Sequence, residues 1–277
     1  MPSQVTITNT GTFDVIAGNI PGKPFNIQPI PPTGLVTDGL RIHHDYSNPS
    51  SWTPNAFNTI NDLSGYNIWA TATTTGSQFN FSGSDYNGSF VFNPTSDPGN
   101  AQSVIDISNS VNAPYYTSNP TVTLDFWLKI SPSGITIFGS NNATGAGRLT
   151  VQAVPTSATA GYFRVNKGAF GINTADFSGS YTYSMDVPLN LTVTKTGFVY
   201  QLYVNGEFKA SKTDGTSTTY NIGNHALGQN WNPGAPTGQK AVEKFRGSMY
   251  TFMAYNKVLS SAEILQNFNY RRARFGL

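Results

Sequence analysis

The stretch FRGSMYTFMAYNKVLSSAEILQNF, residues 245–268, predicts one buried strand followed by one short helix. From Ser248 to Tyr255, aromatic, sulfur-containing and small apolar residues follow one another without a helix breaker, which is typical of a strand buried on both faces. Ser260 then precedes Glu263 by three residues, the spacing of a capping box that begins a helix. The stretch therefore predicts a helix that packs on a β-structure.

The predicted helix has an apolar side and a basic end. Leu259 and Ile264 occupy the two positions of a hydrophobic staple, which sets the angle at which a chain enters a helix. Ile264, Leu265 and Phe268 form one apolar stripe, which should face the β-structure. Basic side chains follow near the negative end of the helix, where they stabilise its dipole: Arg271, Arg272 and Arg274.

The composition favours an all-β protein with many turns. Charged residues make up 11% of the 277 residues, and there are 27 glycines and 17 prolines. A net charge of +2 is too small to predict nucleic-acid binding. The sequence contains no run of 18 apolar residues, which a membrane-spanning helix would need. The absence of cysteine excludes disulfides and thiol chemistry. The first residues lack the pattern of a signal peptide.

Short strands separated by turn signals predict a sandwich. In residues 66–120 such signals recur every eight to twelve residues. Residues 121–130 are the clearest strand, with alternating apolar residues on one face and polar ones on the other. Asn205 and Gly206 separate two further strands and accept the backbone angles of a type I′ hairpin turn. The apolar face of the clearest strand comprises Val122, Leu124, Phe126, Leu128 and Ile130.

Several of these segments, taken in order, resemble laminin-G-like domains, which belong to the concanavalin A-like jelly rolls. The matching segments are residues 39–45, 48–51, 62–65, 198–211 and 245–277. The resemblance covers about residues 35–277 and implies an all-β, antiparallel β-sandwich jelly roll with one short C-terminal helix. The tail RRARFGL, residues 271–277, is similar to the endings of such domains in bacteriophage virion proteins, especially those of cyanophages.

Residues 1–33 differ from the rest and predict an extended, proline-rich arm ahead of a β-sandwich domain at 34–277. Five prolines within residues 21–32 cannot donate to a sheet ladder. One interpretation is an arm that docks on a partner subunit, and the other is an edge strand of the same sandwich. The arm residues that would mediate assembly are Val5, Ile7, Phe13, Val15 and Ile16.

Two acidic residues are the candidate metal ligands. His43 and His44 are adjacent, so they point to opposite faces of a strand and cannot converge on one zinc ion. Asp45 and Asp62 are candidates for Ca²⁺, because related jelly rolls often hold this ion with carboxylates and loop carbonyls. The alternative, which the sequence favours, is an Asx-type turn at Asp62.

The segment 222–239 predicts a long polar loop, which in compact domains usually has a function. A single tryptophan among amide side chains suits stacking on a sugar, a subunit interface or simple packing on the rim of the sandwich. The candidate residues for binding a glycan or a partner are Trp231, His225, Gln229 and Asn230.

Nothing in the sequence predicts catalysis. Glycosidases need two positioned carboxylates, and the catalytic relatives of this fold carry two glutamates and an aspartate close together on one strand. The three glutamates here, Glu207, Glu243 and Glu263, begin no such motif. No Gly-x-Ser-x-Gly nucleophile elbow occurs either.

The resemblance and the missing signal peptide together predict a non-enzymatic structural or adhesion protein of a phage virion. We expect a head decoration, spike or fibre subunit that forms a homo-oligomer and contacts capsid or tail proteins. The alternative is a lectin-like module that binds a cell-surface glycan, with or without Ca²⁺.

Overall fold

The computed structural model describes residues 34–52, 59–74, 79–92, 103–107, 121–132, 135–141, 149–167, 173–213, 224–228 and 244–277. These residues form two antiparallel sheets and one short C-terminal helix. The predicted β-sandwich with a terminal helix is confirmed. No helix among these residues combines the length and the apolar character needed to cross a membrane.

The first sheet carries the helix on its outer face, and we call it the helix-bearing sheet. Its strand order is β15-β14-β13-β7-β17-β5-β4, and β1 also pairs with β17. Its strands are β1 (Leu40–Asp45), β4 (Phe79–Ser82), β5 (Ser89–Phe92), β7 (Val122–Ile130), β13 (Pro188–Thr196), β14 (Val199–Val204), β15 (Glu207–Thr213) and β17 (Gly247–Tyr255).

The second sheet, the opposite sheet, has the order β11-β10-β9-β8-β16-β6-β3-β2, and β12 also pairs with β10. Its strands are β2 (Thr59–Ile60), β3 (Ala70–Thr74), β6 (Ser103–Ile107), β8 (Thr136–Asn141), β9 (Leu149–Pro155), β10 (Ala160–Lys167), β11 (Asn173–Asp176), β12 (Tyr183–Ser184) and β16 (Asn224–Leu227). The main apolar core lies between the two sheets.

Strand β17 is buried along its whole length, as the sequence predicts. Phe252 and Ala254 point into the core between the sheets. Tyr250, Met253 and Tyr255 lie on the outer face, where they pack in two smaller apolar clusters beneath the C-terminal helix. The helix thus gives this sheet a second buried face.

The helix α1, Ser261–Arg271, begins as the sequence predicts. The hydroxyl of Ser260 accepts a hydrogen bond from the amide of Glu263, whose carboxylate in turn accepts one from the amide of Ser260. Leu259 and Ile264 are both buried in one apolar cluster, which confirms the hydrophobic staple. A 3₁₀ turn, Arg272–Phe275, follows the helix.

The prediction that Leu265 belongs to the buried apolar stripe of the helix is wrong, because this side chain is 44% exposed. The buried side of the helix is formed by Ile264, Asn267, Phe268 and Arg271. A helix repeats every 3.6 residues, so Leu265 is rotated about 100° from Ile264 and reaches the rim instead.

Most of the predicted polar face of β7 is also buried, and Lys129 near the end of the strand stays partly exposed. Thr123 and Asp125 have no exposed surface, and neither has Trp127, the next residue along the same face. The helix covers this face: Phe268 lies parallel to the indole of Trp127 at a ring distance of 5.6 Å, and Phe275 does so at 4.1 Å.

The β14–β15 hairpin turns at Asn205 and Gly206, which have φ values of 52° and 77°. Both are positive, as the predicted type I′ turn requires. A Cβ atom at Gly206 would come within 3.0 Å of Leu265 and Phe268, so the turn also fits closely against the helix.

The C-terminal arginines bind the tail to strand β1. Arg274 donates to the carboxylate of Asp45 at 3.1 Å and to the carbonyls of Tyr86 and Gly88. Arg271 lies 3.7 Å from the same carboxylate and bonds to His43 at 2.7 Å. Burial raises the pKa of Asp45, but the two arginines and the hydrogen bonds from Ser47 outweigh it and lower that pKa overall.

Candidate functional site

The loop of residues 61–69, which connects β2 and β3, is organised around the carboxylate of Asp62. One oxygen accepts hydrogen bonds from the amides of His43 and Ser64, both at 2.9 Å. The other accepts from the hydroxyl of Ser64 at 2.6 Å and from the amide of Ile68 at 3.1 Å. Four donors on one carboxylate give the loop a fixed shape, and the predicted Asx-type turn at Asp62 is confirmed.

This loop presents two aromatic side chains to solvent. Tyr66 is 42% exposed and Trp69 is 50% exposed, whereas Ile68 and Ala70 are fully buried. The buried pair anchors the loop to the core, so the residue between them must point outward. A large indole held open to solvent by a rigid loop is a feature of binding surfaces rather than of cores.

Trp69 borders a cavity of about 500 Å³. All the other side chains that line it are polar, and they include the amides of Asn61 and Asn67. The side-chain amide of Asn61 donates to the backbone carbonyl of Ser50 at 3.2 Å, and the backbone carbonyl of Asn61 accepts from the hydroxyl of Ser51 at 2.9 Å. We call this site the Trp69 cavity; it is lined by Ser50, Thr59, Asn61, Asp62, Asn67 and Trp69.

The arrangement combines one flat apolar surface with several hydrogen-bonding groups on a fixed frame. An aromatic face can pack against the C–H groups of a ring, while amides, hydroxyls and a carboxylate bond to its hydroxyl groups. The lining of the cavity thus offers the kinds of groups that ligand-binding sites use.

The two predicted calcium ligands, Asp45 and Asp62, each bind a different set of protein donors. The carboxylate of Asp45 accepts from the amide and hydroxyl of Ser47, and from Arg274. Both carboxylate oxygens of Asp62 accept the hydrogen bonds from His43, Ser64 and Ile68 described above. The described residues contain no group of three or more His, Cys, Asp or Glu side chains that could hold a metal ion. Calcium at Asp45 and Asp62 stays a prediction, which chelation can test.

The two adjacent histidines face opposite sides, as predicted. His44 points into the sandwich, where its Nε2 lies 3.0 Å from the carbonyl of Ile68. His43 points toward Arg271 beneath the helix. Burial, followed by the charge of Arg271, lowers the pKa of His43 to about 4, so it is neutral at pH 7.

Of the four residues predicted to bind a glycan or a partner, only His225 lies in the described part of the chain. It belongs to strand β16 and is fully buried, with its ring parallel to that of Phe138 at 6.1 Å. Burial lowers its pKa to about 3. The predicted loop is therefore wrong for residues 224–227, and His225 has no access to a surface ligand. Trp231, Gln229 and Asn230 lie outside the described residues.

The arm also lies outside the described residues. This applies to all of 1–33 and hence to Val5, Ile7, Phe13, Val15 and Ile16. Its two interpretations, a docking arm and an edge strand, both remain open.

Sequence reasoning did not single out Trp69, which it assigned only to one of the short strands of residues 66–120. The signal was present: Ile68, Ala70 and Ala72 alternate with larger or polar neighbours. A period of two puts Trp69 on the opposite face from these three buried residues, next to the polar turn at Asp62.

Comparisons with known proteins agree with the architecture. A sequence model of the concanavalin A-like lectin/glucanases superfamily matches residues 99–265. A search of curated protein sequences gave no match.

Solved structures share the fold at low sequence identity. The fourth domain of a GH43 extracellular arabinanase from Geobacillus stearothermophilus, solved with arabinotriose, is 17% identical with a TM-score of 0.57; the match covers 82% of this chain and 97% of that one. The binding domain of botulinum neurotoxin DC, solved with rat synaptotagmin II, is 16% identical with a TM-score of 0.56, covering 84% of this chain and 52% of that one. A Trypanosoma rangeli sialidase solved with the inhibitor DANA has 16% identity and a TM-score of 0.54, covering 84% and 33%.

Proposed function

The chain belongs to the concanavalin A-like lectin/glucanases superfamily, and on that basis we propose that it is a non-catalytic domain that binds carbohydrate in the Trp69 cavity. The observation that carries the proposal is the half-exposed indole of Trp69 beside a rigid, polar lining. The arabinanase domain that shares the fold was solved with arabinotriose, which supports a sugar as the ligand class.

The described carboxylates support binding rather than hydrolysis. A glycosidase needs a general acid with a raised pKa next to a second carboxylate, both open to substrate. Burial raises the pKa of Asp125 to about 6, because it disfavours the charged carboxylate. Asp125 has no exposed surface and lies under the helix, so no substrate reaches it. Glu207 pairs with Lys209, and Glu263 caps the helix.

Binding to a panel of immobilised glycans, followed by titration calorimetry on the best ligand, tests the proposal. Trp69→Ala should weaken binding by roughly thirtyfold or more, since truncation of a tryptophan at the centre of an interface typically costs at least about 2 kcal/mol. Phe208→Ala is the matched control, because Phe208 is 51% exposed but lies on the edge strand β15. Equal affinities of the parent and the Trp69 variant would reject the site.

A role on a virion is a second candidate, which the resemblance of the tail RRARFGL favours. In this proposal the domain is a head decoration, spike or fibre subunit that assembles through residues 1–33, and the cavity provides adhesion to host glycans. Neighbouring genes for capsid or tail proteins would support it. Neighbouring genes for polysaccharide-degrading enzymes would instead place the domain in a secreted enzyme system.

A further inference from the structure

A second cavity is lined by other residues of the loop 61–69. It has a volume of about 570 Å³, and Leu63, Ser64 and Tyr66 of the loop line it. Asp62, Asn67 and Trp69 of the same loop line the Trp69 cavity. We call the second one the Arg41 cavity, since the guanidinium of Arg41 from strand β1 also lines it.

Arg41 is held in one orientation. Its guanidinium carbon lies 4.1 Å from the centre of the Tyr66 ring, a stacked cation–π contact. In the amide orientation that satisfies both of its ends, the side-chain oxygen of Asn256 accepts from Nη2 of Arg41 at 2.7 Å and from Nε at 3.1 Å. The nitrogen of Asn256 then donates to the carbonyl of Gly39 at 3.1 Å. This leaves the Nη1 end of the guanidinium available for hydrogen bonds.

The charge of Arg41 is not neutralised by a carboxylate in the described part of the chain. Asp38 lines the same cavity, but it forms an ion pair at 2.5 Å with Lys257. Lys257 pairs in addition with Glu263 at 2.7 Å. An oriented arginine with no acidic partner, at the edge of an open cavity, is the usual arrangement for recognising an anionic group.

We propose that the Arg41 cavity binds the anionic substituent of the saccharide whose neighbouring ring packs on Trp69, which makes the ligand an acidic oligosaccharide. This inference rests on the proposed function. Tyr66 and Trp69 are three residues apart, so their Cα atoms lie within roughly 11 Å of each other. A short oligosaccharide spans that distance. The anionic group is a carboxylate or a sulfate ester, both of which accept hydrogen bonds from a guanidinium.

The test compares oligosaccharides of one length in three forms: neutral galactan, galacturonan with carboxylates, and a sulfated galactan. Affinity for each is measured for the parent, Arg41→Gln, Arg41→Lys and Trp69→Ala. Arg272→Gln is the control, since it removes the same charge from an exposed arginine of the tail. Circular dichroism confirms that each variant is folded.

We expect the parent to bind one acidic form at least tenfold more tightly than the neutral one. Arg41→Gln should lose roughly tenfold to a hundredfold for the acidic ligand, the usual range for a charge-assisted hydrogen bond, and little for the neutral one. Arg41→Lys keeps the charge but not the planar fork, so it should fall between these values. Whether the preference is for galacturonan or for the sulfated form identifies the anion.

The possible failures are distinct. Equal affinity for neutral and acidic forms, or an Arg41→Gln variant that keeps the acidic preference, overturns this inference and leaves the Trp69 site standing. A loss in Arg41→Gln without any loss in Trp69→Ala supports the anion site and overturns the proposed function at Trp69. Binding that Arg272→Gln weakens as much as Arg41→Gln would show a general charge effect and overturn the inference.

Discussion

Replacing Phe268 by alanine tests whether the C-terminal helix is a structural part of the sandwich. The Phe268 side chain is 8% exposed and lies parallel to Trp127, with 6° between the ring planes. Large aromatic truncations in cores cost about 3–5 kcal/mol, through lost transfer free energy and the cavity left behind. Because Phe268 is at the rim of its cluster, where neighbours can partly close the gap, we expect the lower end, about 3 kcal/mol.

A loss of that size should lower the melting temperature by roughly 6–12 °C in a chain of this length. Thermal and urea unfolding should be followed by circular dichroism and by tryptophan fluorescence, to which Trp127 beneath the helix contributes as one of four tryptophans. Leu265→Ala is the matched control: it lies on the same helix but is 44% exposed, so we expect a loss below about 1 kcal/mol. If both variants lose the same small amount, the helix does not contribute to stability in this way.

Three further predictions concern pH, calcium and the arm. The pKa of buried His225 is lowered to about 3, so the unfolded state takes up its proton first and stability is lost as the pH falls below about 6.5. The pKa of Asp125 is raised to about 6, so the folded protein takes up this proton first, and its protonation stabilises the fold as the pH falls below about 6. Asp125→Asn removes this contribution and should therefore lose more stability than the parent between pH 7 and pH 4. Parallel curves of stability against pH would contradict this. Because protein donors already occupy the carboxylates of Asp45 and Asp62, excess chelator should leave the melting temperature unchanged, and a fall of several degrees would show bound calcium. Deletion of residues 1–33 should leave a folded domain by circular dichroism that no longer forms its oligomer by light scattering; an unfolded product would show that the arm belongs to the core.

The helix illustrates what local sequence can predict. A capping box and a hydrophobic staple join residues three to five positions apart, so both can be read from neighbours in the chain. The hairpin at Asn205 and Gly206 is equally local, since the turn type depends on the φ values that two residues accept. These features agree with the structure.

The second face of β7 shows where local patterns end. Thr123 and Asp125 have polar side chains at alternate positions, which is typical of a face open to water. They are buried because a helix more than 130 residues later in the chain covers them, with Thr123 donating to the carbonyl of Lys257. Asp125 is bonded to Thr192 at 2.7 Å and Asn190 at 3.1 Å, so its burial is compensated by partners on another strand.

The amino-acid sequence by itself determined the sandwich class, the positions of the main strands, the hairpin turn and the capped helix, because periodicity and capping act over a few residues. The candidate site was decided only by the tertiary structure. The loop that carries Trp69 lies beside the strand that carries Arg41 because the carboxylate of Asp62 bonds to the amide of His43 on β1. His225, which the sequence places in a polar loop, is instead buried in strand β16, since burial depends on which strands pair.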